Sequence, residues 1–218
     1  MDDKKICFIM CCNDELYKEE CLYYISKLDV PDGYRIDIKI IKDARSMTSG
    51  YNSAMRQSDA KYKVYLHQDT FLINSHILYE ALNVFAQDER IGMLGVIGAP
   101  EFSGQSSMWK TERYGQVYDR HIKETSLIGT PVKDIFIQVE VIDGLFMMTQ
   151  YDVTWREDLF DKWDMYDASQ SQEFIRHGYK VVVPRMEQPW CLHDCGFLNL
   201  KNYAGERRKF LKEYREWV

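Results

Sequence analysis

His67-Gln68-Asp69 closes the apolar run Val64-Tyr65-Leu66. On an extended backbone, residues two apart point to the same side, so one imidazole and one carboxylate converge. Such a pair can hold a divalent cation or bond hydroxyl and phosphate groups. A strand that ends in polar residues at its carboxyl end commonly opens into the ligand crevice of an α/β protein. Cys191-x-His193-x-Cys195 is a second donor cluster, but as a zinc half-site it lacks a second pair at ribbon or finger spacing. Asp161, Asp164 and Asp167 recur just before a helical stretch. One of them could take a proton as a general base, and Asp167 could equally cap the helix. The chain has no Gly-x-Gly-x-x-Gly, no P-loop and no nucleophile elbow. Gly92, Gly95 and Gly98 lie in or at the end of an apolar strand and read as packing accommodations. Carboxylates, histidines and a cation are left to carry the chemistry.

These groups need elements to position them. Residues 5–12 read as a buried strand, followed by a helix near 14–28 with an Asn13-Asp14 cap and a stop before Pro31-Asp32-Gly33. Residues 34–41 alternate as a second strand. A short helix near 49–58 leads into a strand at 62–67, and Ile77, Leu78, Leu82 and Phe85 fall at helical spacing. The almost wholly apolar run 91–98 reads as one strand buried on both faces. Four βα steps in about 100 residues predict a mainly parallel, Rossmann-like α/β sheet flanked by helices. Residues 99–133 show no sustained period and read as a long functional loop. Strands are expected at about 135–149, interrupted by Asp143-Gly144. A helix near 168–178, a strand at 179–183 and a final helix at 201–217 complete the chain. That last helix carries Tyr203, Phe210, Tyr214 and Trp217 on one side. The reading is one domain over 1–218, with a first half at 1–98, a smaller mixed half at 99–200 and the C-terminal helix at 201–218.

Composition narrows the function. Hydrophobic residues at 45% and charged residues at 28% exclude wholesale disorder. A net charge of −6 argues against a nucleic-acid partner. No apolar run approaches the ~20 residues of a membrane span, and the N-terminal apolar stretch is too short for a signal peptide. Six cysteines without a signal peptide imply free thiols and a cytoplasmic setting. Cys7, Cys11 and Cys12 read as small core residues.

Several passages together resemble the GT-A glycosyltransferases, close to the family-2-like group that uses nucleotide-activated sugars. Ile6–Cys12 and the second strand ending at Lys42-Asp43 resemble the nucleotide-binding start. Gly50-Tyr51-Asn52-Ser53-Ala54 is similar to the family's helix before the metal strand. Tyr65-Leu66-His67-Gln68-Asp69 stands in the place of its Asp-x-Asp. Ile142-Asp143-Gly144-Leu145-Phe146 resembles the strand supporting the acceptor side. Leu159 to Asp167 looks like the approach to the catalytic acid. Gly178 to Pro184, followed by His193, matches the closing strand and the C-terminal metal histidine. The likeness covers about residues 4–196.

The resemblance implies a hexosyltransferase-type enzyme moving a sugar from a nucleotide-sugar donor to a carbohydrate or lipid-linked hydroxyl acceptor. It implies inversion, and a role in polysaccharide or glycoconjugate synthesis. Asp69 and His193 would hold Mn²⁺ or Mg²⁺, which stabilises the leaving diphosphate. Asp167 would be the base, with Asp164 the alternative. Asp43, Asn52, His67 and Gln68 would contact the nucleotide, and Trp109, Tyr114 and Asp143 the acceptor, as Tyr118 could also. Asp43 could equally be a turn residue and Asn52 a helix cap, and the three aromatics are more readily read as pinning the long loop. His67 replaces the family's first carboxylate. It could bond a ribose hydroxyl or phosphate, bind the metal as neutral imidazole, or mark weakened metal dependence. That replacement also supports a rival, a catalytically degenerate domain that only binds nucleotide or sugar. A sugar-phosphate nucleotidyltransferase is disfavoured, because the Gly- and Arg-rich phosphate loop after the first strand is missing. The basic and aromatic residues of the last helix are compatible with peripheral contact at the inner face of a membrane, although interspersed glutamates weaken the basic field and favour ordinary docking.

Overall fold

A computed structural model describes residues 1–102, 107–122, 124–197 and 199–215, apart from the side chain of Trp109. The chain begins as predicted. β1 (Asp2–Cys12) is buried from Ile6 to Met10, and α1 (Glu15–Ile25) follows at once. The Asp14 carboxylate accepts the amides of Leu16 at 2.9 Å and Tyr17 at 3.2 Å, which starts that helix. β2 (Arg35–Lys42) leads through a Ser46–Ser49 capping box into α2 (Met47–Arg56). β3 (Ala60–Leu66), β4 (Thr70–Leu72), α3 (Ile77–Phe85) and β5 (Ile91–Gly95) come next. Then follow β6 (Ile97–Ala99), β7 (Tyr114–Gly115), β8 (Val117–His121) and β9 (Glu124–Ile128). The remainder is β10 (Phe136–Gln138), β11 (Val141–Ile142), β12 (Phe146–Thr149), α4 (Tyr166–Arg176), β13 (Lys180–Pro184), β14 (Cys191–His193) and α5 (Tyr203–Tyr214).

The large sheet has the order β10-β13-β5-β12-β3-β1-β2. β1, β2, β3, β5 and β13 share one direction, and β10 and β12 oppose them. The sheet is mostly parallel and flanked by helices, as expected. Its order interleaves strands from both halves of the chain, because β12 inserts between β3 and β5. Two small sheets, β11-β6-β7 and β4-β14-β8-β9, lie beyond it.

Two expectations need correction. The apolar run 91–98 is not one strand. It breaks at Val96, where β5 stays in the large sheet and β6 leaves for β11 and β7. The glycines permit the crossing: a Cβ on Gly95 would meet Ile142 at 2.8 Å, and one on Gly98 would meet the Val141 carbonyl at 2.5 Å. Residues 99–133 are not one long loop either, because they supply β7, β8 and β9. These strands are two to five residues long and half solvent-facing, so hydrophobic alternation barely shows in them.

Helix ends also shift. α4 starts at Tyr166, so Asp167 sits inside its first turn and not at the cap. The cap is Met165, at φ 62° in the left-handed region. α5 ends at Tyr214, and Trp217 lies outside the described residues. The aromatic side of α5 is spent on packing. Phe210 is fully buried, its ring 5.3 Å from Phe102, in a second small core with Phe160, Met165 and Ala168. Burying one such phenylalanine contributes roughly 1.5–3 kcal/mol. Among the described residues, no helix is long and apolar enough to cross a membrane.

Candidate active site

The carboxyl ends of β1, β2 and β3 open into a crevice of about 600 Å³. Its lining includes Cys11, Cys12, Asn13, Asp43, Met47, His67, Gln68 and Asp69, and also Asn199 and Asn202. A second cavity of about 230 Å³ is lined by Asp143, Tyr166, Asp167, His193, Phe102, Met108 and Leu200. His67, Trp163, Asp164 and Asn199 line both, so the two spaces adjoin.

At that junction β3 and β14 bring three donors together. Asp69 Oδ1 lies 3.8 Å from His67 Nδ1 and 3.6 Å from His193 Nε2, and the two imidazole nitrogens are 3.5 Å apart. The register of β4 against β14 sets this, pairing Thr70 with His193, and the Asp194 amide donates to the Asp69 carbonyl at 2.9 Å. Asp69 Oδ1 is buried without a hydrogen-bond partner. Three donors on one ion, with bonds of about 2.1 Å, stand about 3.0–3.5 Å apart, slightly inside the separations seen here. An orphaned carboxylate oxygen facing two ring nitrogens fits a divalent metal.

The electrostatics agree. Burial opposes the charge on Asp69, but His193 and His67 hold its carboxyl below the usual range. Burial also opposes a charged His193, yet Asp119 and Asp69 raise it to about 10. His67 moves down, chiefly because it is buried, against the pull of Asp69. The site therefore keeps a positive charge between two carboxylates. His193 Nδ1 bonds Asp119 Oδ1 at 3.1 Å, the carboxylate–histidine arrangement that orients a metal-binding imidazole. On the other ring, Nε2 meets the Tyr166 hydroxyl. With Nε2–H donating there, Nδ1 turns its lone pair toward Asp69. Tyr166 reaches this place because residue 144 is glycine: a Cβ there would lie 2.0 Å from the phenol oxygen.

Asp167 belongs to the second cavity. Its carboxylate accepts from the Gly144 amide at 3.0 Å and the Ala168 amide at 2.8 Å. Burial, then the neighbouring Asp143, push it up to about 7 despite those amides. Asp164 lies on the lip between the cavities, raised by burial and by Glu206.

The structure brings together Asp43, His67, Gln68, Asp69, Asp143, Asp164, Asp167 and His193. Other assignments change. Asn52 is fully buried away from both cavities; its amide grips the Trp155 backbone, accepting at 2.9 Å and donating at 2.8 Å. Gln68 touches the crevice, but its side chain is engaged with Asn13 and Asp14, tying the end of β3 to the end of β1. Tyr114 lies on β7, is absent from the lining of both cavities and pairs across to Gly98. The side chain of Trp109 lies outside the described residues. Sequence reasoning missed Asp119 and Tyr166, the partners of the two histidines. The only available signal for Tyr166 was its place beside Asp167.

With this geometry in view, the comparisons decide the family. A model of the glycosyltransferase-like family matches residues 7–214. The chain belongs to that family. Solved glycosyltransferases share the fold of this family member. The mannosyltransferase PcManGT from Pyrobaculum calidifontis, in complex with GDP-Man and Mn²⁺, superposes with a TM-score of 0.61 at 13% identity, covering 99% of this chain and 65% of that one. TarS 1-349 from S. aureus, in complex with UDP, gives 0.57 at 11% identity, covering 96% and 65%. The same protein with UDP-GlcNAc gives 0.60 at 10%, covering 95% and 66%. This glycosyltransferase-like chain thus spans about two thirds of the length of those structures and shares their GT-A fold. No curated protein matches it.

Proposed function

We propose that this chain transfers a sugar from a nucleotide-sugar donor to a hydroxyl acceptor with inversion at the anomeric carbon. One observation carries the reading. A large crevice at the ends of parallel strands meets a smaller cavity at the His67–Asp69–His193 triangle, with a carboxyl group raised to about 7 on the far side. The nucleoside diphosphate would lie in the larger crevice, where Asp43 at the end of β2 faces the nucleoside. The sugar would reach past His67 into the smaller cavity. There the acceptor hydroxyl gives its proton to Asp167 as its oxygen attacks the anomeric carbon. The bond from that carbon to the diphosphate breaks on the opposite face, and the electron pair leaves with the diphosphate. A base titrating near 7 is ionised in useful amount at neutral pH and still a competent acceptor.

His67, Asp69 and His193 would hold the metal, whose chemistry is to stabilise negative charge on the leaving phosphates. The fold relatives include one in complex with GDP-Man and Mn²⁺, which supports this. Two imidazoles and one carboxylate favour Mn²⁺ over Mg²⁺, which prefers an all-oxygen shell. The metal would take the place of the proton carried by His193, and His67 would stand in for the missing first carboxylate as a ligand. The backbone amides of Gly144 and Ala168, which donate to its oxygens, hold Asp167 in one orientation, and Asp143 keeps its proton affinity high.

Calorimetric titration with UDP, GDP, CDP and dTDP, each with Mn²⁺ and with EDTA, tests this. Mn²⁺-dependent binding of one diphosphate, abolished in Asp69→Asn, is expected. Failure of all four under both conditions overturns the proposal. Binding without release of diphosphate from the matching nucleotide-sugar and acceptor would make the chain a binding module.

A further inference from the structure

Cys195 does not act with Cys191. Cys191 is fully buried within β14, and Cys195 lies beyond the strand, against the end of β8. There Asp119, His121 and Cys195 place a carboxylate, an imidazole and a thiol within 4.8 Å of one another. Asp119 Oδ2 is 2.8 Å from His121 Nε2, and Cys195 Sγ lies 3.1 Å from His121 Nδ1 and 3.6 Å from Nε2. Donors bound tetrahedrally to one zinc ion stand about 3.3–3.6 Å apart, given bonds of about 2.0–2.3 Å. The Nε2–sulfur separation falls in that range; a small turn of the ring away from the Nδ1–sulfur contact and a small opening of the nitrogen–oxygen pair admit the ion.

The surroundings are those of a built site. Asp119 is 7% exposed, and its two oxygens face different ways, Oδ1 to His193 and Oδ2 to His121. Beside the three donors lies a cavity of about 20 Å³, the size of a single water or ion, whose walls also include His193, Asp143 and Arg113. Both strands that carry the donors are held in register, since β8 and β14 pair through Tyr118–Leu192 and Asp119–His193.

We infer that Asp119, His121 and Cys195 form a second metal site, separate from the His67–Asp69–His193 triangle and selective for a thiophilic divalent ion, Zn²⁺ above all. The thiolate is what separates the two sites. Sulfur with imidazole and carboxylate suits zinc, whereas two imidazoles and a carboxylate beside a diphosphate suit manganese. Binding exchanges the Cys195 thiol proton for the metal and releases it to water. The fourth position is left to a water. The ion clasps the chain after β14 to the end of β8. Asn199 and Asn202, which follow in sequence, line the larger crevice, and the ion would tether the chain just before them. It also fixes Asp119, and through it the ring of His193.

Co²⁺ is the probe, because a cobalt–thiolate bond gives an intense near-ultraviolet charge-transfer absorption and imidazole–carboxylate ligation gives none. Full-length protein stripped with chelator and titrated with Co²⁺ should develop this band at one equivalent, and Zn²⁺ should bleach it. The band should persist in Asp69→Asn and Cys11→Ala, and fall at least tenfold in Cys195→Ala and His121→Ala. The two loss-of-band variants cover each other if one folds poorly. Absence of the band in the unsubstituted protein, or its persistence in Cys195→Ala, overturns the inference. The donor-site proposal is untouched by that result, since its own readout is Mn²⁺-dependent nucleotide binding.

Discussion

Asp69 and Asp167 line the two cavities that His67 joins, and burial disfavours the charge on both. Their neighbours send them in opposite directions. Asp69 faces His193 and His67, and its carboxyl falls below the usual range. Asp167 faces Asp143, and its carboxyl rises to about 7 even though two backbone amides bond its oxygens. In the proposed reaction, one side of the site would hold positive charge and the other would accept a proton. The lesson is that two identical side chains on one crevice take different work from the charge placed beside them.

The largest effect should come from the proton-accepting side. Asp167→Asn is expected to lower kcat by about 10²–10⁴-fold while leaving Mn²⁺-dependent nucleotide affinity unchanged. Loss of nucleotide binding in that variant would erase the division between the two sides. Next comes Asp69→Asn, which should weaken Mn²⁺ binding by more than about 100-fold, beyond the usual cost of losing an outer-shell partner. Free Mn²⁺ measured by electron paramagnetic resonance reads this directly. Tyr166→Phe removes the phenol that touches His67 Nε2 and should cost about 5–10-fold in Mn²⁺ affinity, the worth of one hydrogen bond to a ligand ring.

The smallest effect sharpens the comparison most. In the parent protein, kcat/KM should rise with pH through about 7, because the Asp167 carboxyl must lose its proton before it can act as base. Asp143 raises that value, so Asp143→Asn should move the acid limb to lower pH, and activity at pH 6 relative to pH 8 should increase. A limb that stays in place would mean that Asp143 does not govern Asp167.

The parts of this arrangement visible in the sequence were those carried by long, apolar or alternating strands. Val64 to Leu66 announced a buried strand, and the polar triplet after it marked the crevice. Residues 5–12 and 34–41 did the same for β1 and β2, whose ends line the larger crevice. The second half was harder to read. β8 is five residues long and alternates only weakly, so Asp119 looked like a loop residue although strand pairing sets it against His193. The family resemblance implies ligand contacts for Asn52 and Gln68. Asn52 spends its amide on the Trp155 backbone, and Gln68 spends its own on the Asn13 and Asp14 amides and the Asn13 side chain, which only the folded chain reveals. Replacing Asn52 by Ala should therefore cost about 1–3 kcal/mol of stability, by leaving the Trp155 amide and carbonyl unpaired, and leave Mn²⁺ affinity unaltered. Thermal unfolding beside the resonance titration checks both halves of that statement. Gly144 carried no sequence signal of its role, since the phenol it makes room for is twenty-two residues further along the chain.

The most direct test of the metal side is electron spin-echo envelope modulation of Mn²⁺ bound to the protein. Coupling to two imidazole nitrogens is expected, reduced to one in His67→Ala and in His193→Ala. A spectrum with no nitrogen coupling, or one that His67→Ala leaves unchanged, would contradict the assignment of His67, Asp69 and His193 as the metal-binding triangle.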